Sequence, residues 1–476
     1  MVSYKEELAS LDEESFEPKR GISAPPSSFA CLLCIVPYLS MQRLNTLRNA
    51  RPLRSPIVRA CTVRRFSTAP ASDVVHADSS RDALFNKSDE HRQLRELVAQ
   101  FTADEVEPQA LVHNREEKFN MPLFRRAGEL GLLGVTVDPE YGGSGMDAAA
   151  ACIIHEELSA SDPAFCLSYL AHSQLFVNNL AQNGSHEQKL AYLPSACDGS
   201  LIGGMGMSEP AAGTDVLGMT TKATKQADGS WVLKGGKMWI TNGAVNDTTL
   251  GDCFLIYART AGPEVKASKA ISLFLLPKDT PGFSLGQRLK DKCGMRASAT
   301  AELVFDDCVL PASALVGDEG RATICMMRNL EIERVVLAAM GVGIARRSLE
   351  IMNRYANERM AFGSPLSSFG QIQRHLADSY AEYMAGKSYL YSVANRMELD
   401  QAGNRLDTDG VKLFCTTMGK NVADRAMQVL GGYGYMGDYV VERLWRDAKL
   451  LEIGGGTLES HQKNMAKEMA IGQLPL

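Results

Sequence analysis

Two stretches hold residues whose types and spacing could do proton chemistry. One is RNLEIERVVLAAMGVG, Arg328 to Gly343, with glutamates at 331 and 333. The other is LEIGGGTLES, Leu451 to Ser460, with consecutive glycines at 454, 455 and 456. On a helix, residues three and four apart are neighbours. Glu331 then has Arg328 three before it and Arg334 three after, which predicts a salt-bridged, solvated carboxylate. Glu333 has Asn329, Leu330, Val336 and Leu337 at the same spacings. An apolar setting disfavours the charged carboxylate and suits it to take up a proton. Two ordinary helix-surface glutamates are the alternative. Each glycine costs a helix roughly 1 kcal/mol relative to alanine. Three together mark a sharp turn or a close approach to the backbone.

A second chemistry is suggested by MGMSEPAAGTDV, Met205 to Val216, followed by KMWITNG, Lys237 to Gly243. A Ser-Glu-Pro turn and small residues leave backbone N–H groups free to meet an acceptor-rich ligand. Trp239 offers a stacking face and Thr241 a hydroxyl beside it. An isoalloxazine ring needs a flat apolar wall and a few donors at its edge. Alone, Trp239 in a strand reads as core; its pairing with the Ser-Glu-Pro loop points to a cofactor contact. In NERMAFGSP, Asn357 to Pro365, Arg359 is suited to reach a pyrophosphate, with an ordinary surface charge as the alternative. In QVLGGYGYMG, Gly431 and Gly432 form a turn that allows close backbone approach. No strand–GxGxxG–helix unit occurs, so a doubly wound dinucleotide fold is not expected.

The elements that must position these groups fall in three blocks. Residues from about Asp82 to 202 read as helices, with Leu94, Leu97, Val98 and Phe101 on one face. From 203 to 316, short runs such as SWVLKGGKMWITNG, DCFLIYART and ISLFLLPK read as antiparallel strands. From 320 to 476 helices return, over Arg328–Tyr355, Gln371–Glu398, Asp409–Leu430 and shorter pieces from Asp447. Segregated helices and strands make the chain α+β.

Composition limits the rest. A chain of 476 residues calls for two or three domains, and a net charge of −6 gives no electrostatic case for nucleic acid. The 11 cysteines lack metal-ligand pairing and suit a reducing compartment, and no metal site is expected. No apolar run approaches the roughly 20 residues of a membrane helix. Residues 1–20 are acidic, whereas MQRLNTLRNARPLRSPIVRACTVRRFSTAPAS from Met41 holds seven arginines and no acid before Asp73. Residues 41–72 therefore read as a mitochondrial transit peptide, and 1–40 as a gene-model extension or disordered segment. A disordered basic linker is the alternative for the basic stretch.

SEPAAGTD, KMWITNG, ER.AFG, QVLGGYGY and RDAKLLEI..GT, in this order and register, resemble the acyl-CoA dehydrogenase family from about residue 85 to the end. The resemblance implies a helical N-terminal domain, a β-domain and a C-terminal four-helix bundle. It also implies bound FAD, an acyl-CoA substrate, electron-transfer flavoprotein as acceptor and a homotetramer; the arginine-rich segment, with RRFST at Arg64 to Thr68 resembling a matrix-processing site, points to the mitochondrial matrix. The family removes an α-hydrogen as a proton and a β-hydrogen as a hydride to flavin N5. Carried over residue by residue, Met205, Met207, Ser208, Thr214, Trp239, Ile240 and Thr241 match flavin-contacting segments, and Thr214 also a thioester contact. Arg359, Gln428, Gly431 and Gly432 match contacts to FAD supplied across a subunit interface, and Thr457 and Glu459 the adenine side. Gly370 departs from the family's frequent glutamine, and Gln371 lies one place along.

Most relatives carry the catalytic glutamate where this chain has Gly455. The branches acting on isovaleryl-CoA and on long-chain acyl-CoA carry it on another helix, at the position matching Glu333. The resemblance thus implies Glu333 as base, with Ile324, Glu331, Arg334, Gly455 and Gly456 on the substrate side. Gly455 keeps an N–H for the thioester oxygen and leaves room for a branched acyl chain. LLEIGGGT and NLEIER look closer to the isovaleryl pattern. A long-chain enzyme, an oxidase and a non-catalytic FAD-binding assembly subunit are the alternatives.

Overall fold

The structure, a computed structural model, describes residues 83–401 and 403–472. The expected extension over 1–40 and transit segment over 41–72 lie outside the described residues. Helices, then strands, then helices follow one another along the chain, in the α+β order expected.

The first block holds α1 (Asp89–Phe101), α2 (Glu107–Glu116), α3 (Met121–Glu129), α4 (Ala148–Ser161), α5 (Pro163–Leu170), α6 (Asn179–Asn183) and α7 (His186–Cys197). Side-chain caps set several starts: Ser88 accepts from the His91 N–H at α1, and Asp147 from the Ala150 N–H at α4. On α1, Val98 and Phe101 are buried and Leu94 packs on the core, but Leu97 is exposed, because it falls at the edge of the apolar stripe. Every residue of α4 is buried, so this helix forms the centre of the block.

Eight strands follow: β1 (Gly203–Gly206), β2 (Lys222–Lys225), β3 (Trp231–Thr241), β4 (Cys253–Arg259), β5 (Ile271–Pro277), β6 (Phe283–Leu289), β7 (Thr300–Leu310) and β8 (Leu315–Val316). They form one sheet ordered β6-β7-β3-β2-β4-β5-β8. Neighbours are mostly antiparallel, as expected, but β1 lies parallel to β4 and β2 joins β4 through one parallel pair.

The last block holds α8 (Ala322–Glu358), α9 (Gly370–Ala394), α10 (Arg405–Leu430), α11 (Val441–Leu451) and α12 (Leu458–Ala470). At 37 residues, α8 starts earlier than expected and carries both glutamates and the approach to Arg359. Its glycines set how closely its neighbours pack. A β-carbon on Gly341 would meet the Cys415 carbonyl of α10 at 2.5 Å, and one on Gly343 the Glu156 carbonyl of α4 at 2.2 Å. These contacts draw α10 against the turns of α8 that follow Glu333, and tie the bundle to α4.

Candidate active site

Glu333 lies within α8 with 7% of its surface exposed. The apolar neighbours that predicted its burial are there: Val336 and Leu337 are buried beside it. Its Oε2 has no hydrogen-bond partner among the described residues. Burial pushes the carboxyl up to about 7, against the pull of the nearby Arg334 and Lys412 charges. Facing it is the triple-glycine turn. A β-carbon on Gly455 would stand 3.4 Å from Glu333 Oε1 and 2.3 Å from Leu337 Cδ1. Gly455 and Gly456 have φ of 65° and 101°, in the left-handed region, so the turn needs glycine for backbone and for space alike.

Glu331 corrects the expectation of a solvated, salt-bridged carboxylate. It is buried, and its two oxygens accept from the backbone N–H groups of Gly403 and Asn404 at 3.2 and 3.1 Å. A helix leaves its first N–H groups without internal partners. Glu331 supplies an acceptor just ahead of α10, which local spacing on α8 could not reveal. Arg334 does not pair with Glu331 either: it is buried and ion-paired to Asp409 of α10, Nε to Oδ1 at 3.1 Å. Ile324 is exposed in the first turn of α8.

The Ser-Glu-Pro loop and the Trp239 strand are joined from below by a pair that sequence reasoning missed. Glu209 and Lys237 are both buried, Nζ to Oε1 at 2.8 Å, and Lys237 also donates to the Met207 carbonyl at 3.1 Å. Glu209 further accepts from the Thr220 and Thr221 N–H groups and the Thr220 hydroxyl. Burial alone would raise its pKa, but the Lys237 charge and these hydrogen bonds hold it near 2. Met238 N–H donates to the Ser208 carbonyl at 3.0 Å, closing loop on strand.

Between Lys237 and Ile240, three steps of β3 face two of β7, a β-bulge. The bulge changes which side chains face out. Ile240 enters the core of the sheet, and Trp239, at φ 62°, is left 54% exposed. A bulky residue at positive φ is strained and persists only where the surroundings impose it. Thr214 is exposed on the loop, Thr241 is half-buried, and Met205 and Met207 pack partly into the core between helices and sheet.

A second group gathers at the far end of α8. Arg359 and Gly432, with Tyr355, Leu430, Tyr433 and Met436, line a groove of about 360 Å³. The Arg359 guanidinium lies 5.9 Å from the Tyr433 ring centroid. Gln428 is exposed on the last turn of α10, and Gly431 ends that helix at φ 59°. Around Gly431, Gly432 and Gly370, an added β-carbon would meet nothing within 4 Å. Gly370 opens α9 and Gln371 is exposed beside it. Thr457 caps α12 by accepting from the Ser460 N–H, and Glu459 is exposed in its first turn. Among the described residues no hydrogen bond or ion pair joins Arg359, Gln428, Gly431 or Gly432 to the Trp239 strand or the Ser-Glu-Pro loop.

Three family models match the chain: "Acyl-CoA dehydrogenase, N-terminal domain" over residues 88–200, "middle domain" over 204–308 and "C-terminal domain" over 322–470. An isovaleryl-CoA dehydrogenase, mitochondrial, of Solanum tuberosum is 41% identical over 393 residues, 82% of this chain and 92% of the relative. A 2-methylacyl-CoA dehydrogenase, mitochondrial, of the same plant is 38% identical over 396 residues, 82% of this chain and 94% of the relative. Among solved structures, a glutaryl-CoA dehydrogenase from Mycobacterium smegmatis in complex with FADH2 is similar with a TM-score of 0.74. It is 28% identical, covering 83% of this chain and 97% of that one.

Proposed function

The chain belongs to the acyl-CoA dehydrogenase family, and from that membership we propose that it oxidises isovaleryl-CoA to 3-methylcrotonyl-CoA in leucine breakdown, with Glu333 as the base. The observation that carries this reading is the buried Glu333 carboxyl, poised at about 7, against the bare backbone of Gly455. A general base serves best with a pKa near the working pH. Glu333 takes the α-proton at its unbonded Oε2. The Gly455 N–H draws charge onto the thioester oxygen as the proton leaves, a contribution that is strongest in the transition state. The space left by the missing side chain admits a branched acyl group.

The residues present fit FAD. An exposed indole on the Trp239 bulge gives a flat wall, and the surroundings of Gly213, Gly431 and Gly432 are open. Met205, Met207, Ser208, Thr214 and the Trp239–Thr241 strand hold the flavin end, and Thr457 and Glu459 the adenine side. Arg359, Gln428, Gly431 and Gly432 act on the FAD of a neighbouring subunit in a homotetramer. When bound, FAD accepts the β-hydrogen as hydride. Electron-transfer flavoprotein then receives the electrons, in the mitochondrial matrix, a location supported by the mitochondrial names of the relatives and the arginine-rich segment from Met41.

The test is anaerobic mixing of the purified protein with isovaleryl-CoA, 2-methylbutyryl-CoA or palmitoyl-CoA while flavin absorbance is followed, beside Glu333→Gln. Fast bleaching by isovaleryl-CoA, lost in the variant, is expected. Preference for 2-methylbutyryl-CoA or palmitoyl-CoA would reassign the substrate. Bound flavin that no acyl-CoA reduces would overturn the catalytic reading.

A further inference from the structure

Beneath the glycine turn lies a group of buried polar side chains that take no direct part in the proposed reaction. Lys412 of α10 is fully buried and donates to the Gly456 carbonyl at 2.6 Å. His461 of α12, also buried, stands with Nε2 3.0 Å from the same carbonyl and Nδ1 2.6 Å from Asp409. Asp409 in turn pairs with Arg334 of α8 at 3.1 Å. Two helices, α10 and α12, thus bring buried ionisable groups to one carbonyl, and α8 joins them through Arg334 and Asp409.

Both His461 nitrogens face acceptors. Burial lowers the pKa of the ring, and a neutral ring can donate to only one of them. Lys412 is therefore the standing donor to the Gly456 carbonyl. Burying an ammonium is costly unless the geometry repays it. Two consecutive glycines at positive φ also have no side chains of their own to hold the turn. A displacement of about 1 Å in a catalytic array can cost about 10²-fold in rate.

We propose that Lys412 is a positioning residue: by anchoring the Gly456 carbonyl at the end of the turn, it holds the turn, and with it the Gly455 N–H two peptide units earlier, in place for the thioester oxygen. The proposal rests on the role assigned to the Gly455 N–H in the proposed reaction. Asp409 and Arg334 orient His461, which packs under Gly456, where a β-carbon would meet its ring at 3.1 Å. Lys412 spends a donor on the Gly456 carbonyl, and its charge also bears on Glu333.

The test compares two ligands on the FAD-loaded full-length protein. One is acetoacetyl-CoA, whose C2 enolate shares its charge with the thioester oxygen; the other is 3-oxobutyl-CoA, the same chain with the thioester carbonyl replaced by CH2. In Lys412→Met, acetoacetyl-CoA is expected to bind about tenfold or more weakly while 3-oxobutyl-CoA changes less than about twofold. Substrate turnover should fall about 10²-fold in kcat with little change in KM. Lys412→Arg, which keeps a charged donor, should recover part of the difference. Equal weakening of both ligands would show a general packing role and overturn the proposal, as would no change in either.

Should Lys412→Met fail to retain FAD, Lys412→Gln takes its place, keeping a shorter polar group in the same pocket. The ratio of the two affinities is read in the same way: selective loss of acetoacetyl-CoA supports the anchor, and an unchanged ratio overturns it. Neither affinity requires turnover. A wrong choice of acyl chain therefore shows as failed bleaching of the wild-type flavin, and failure of the Lys412 anchor as an unchanged ratio.

Discussion

The carboxyl of Glu333 and the backbone of Gly455 face each other so closely that a β-carbon on the glycine would stand 3.4 Å from Oε1. The two positions share one volume, so a base can stand on α8 or on the turn, but not comfortably on both.

Glu333→Gly is therefore expected to abolish flavin reduction, and combining it with Gly455→Glu to restore part of the rate. Gly455→Glu alone should lose both activity and stability. It adds a like charge beside Glu333, presses on Leu337 and places a side chain at φ 65°. The backbone and packing penalties together are about 2–4 kcal/mol. Stopped-flow reduction and denaturant unfolding of the three variants check this.

The pH dependence follows from Glu333 being held up at about 7 in the folded chain, where its ordinary value is 4.5. Flavin reduction at limiting substrate should rise with pH through about 7 as the carboxyl ionises. Stability should move the opposite way. Between 4.5 and 7 the unfolded chain has released this proton and the folded chain keeps it, so stability falls across that window. Glu333→Gln should remove the rate limb and gain relative stability above pH 7, by up to about 3 kcal/mol. Unfolding curves of both proteins at pH 5 and 8 measure the difference.

Trp239→Ala separates cofactor wall from core. The indole is more than half exposed, so the substitution should leave the unfolding free energy of FAD-free protein within about 0.5 kcal/mol. Flavin retention on gel filtration should fall sharply. Equal flavin content in wild type and variant would remove Trp239 from the cofactor site.

Glu331→Ala tests the cap on α10. Leaving the Gly403 and Asn404 N–H groups without their acceptor should destabilise the chain by about 1–3 kcal/mol. KM for acyl-CoA should change little. A raised KM at unchanged stability would return Glu331 to the substrate side.

The fold order was readable because helix and strand periodicity change sharply near residues 203 and 316. The burial of Glu333 was readable because its neighbours at three and four residues are on its own helix, and so are local in sequence. Glu331 was misread for the complementary reason. Its partners are 72 and 73 residues away, and a nearby arginine in sequence says nothing about a helix arriving from elsewhere. Lys412, His461, Asp409 and the Glu209–Lys237 pair were missed because a buried lysine and a solvated one look alike in a helical or strand pattern. The exposure of Trp239 depends on one extra residue in β3, and alternation alone gives no sign of it.

That extra residue also makes the protein its own optical probe. Of its three tryptophans, Trp231 is sealed in the sheet and Trp445 is half-buried. Only Trp239 puts its indole mainly in water, so the red edge of the emission spectrum belongs largely to one side chain. A chromophore seated on that ring would darken this emission selectively and leave the sealed tryptophan as an internal reference. Loading of the site could then be followed by fluorescence in a cuvette, without substrate and without a label.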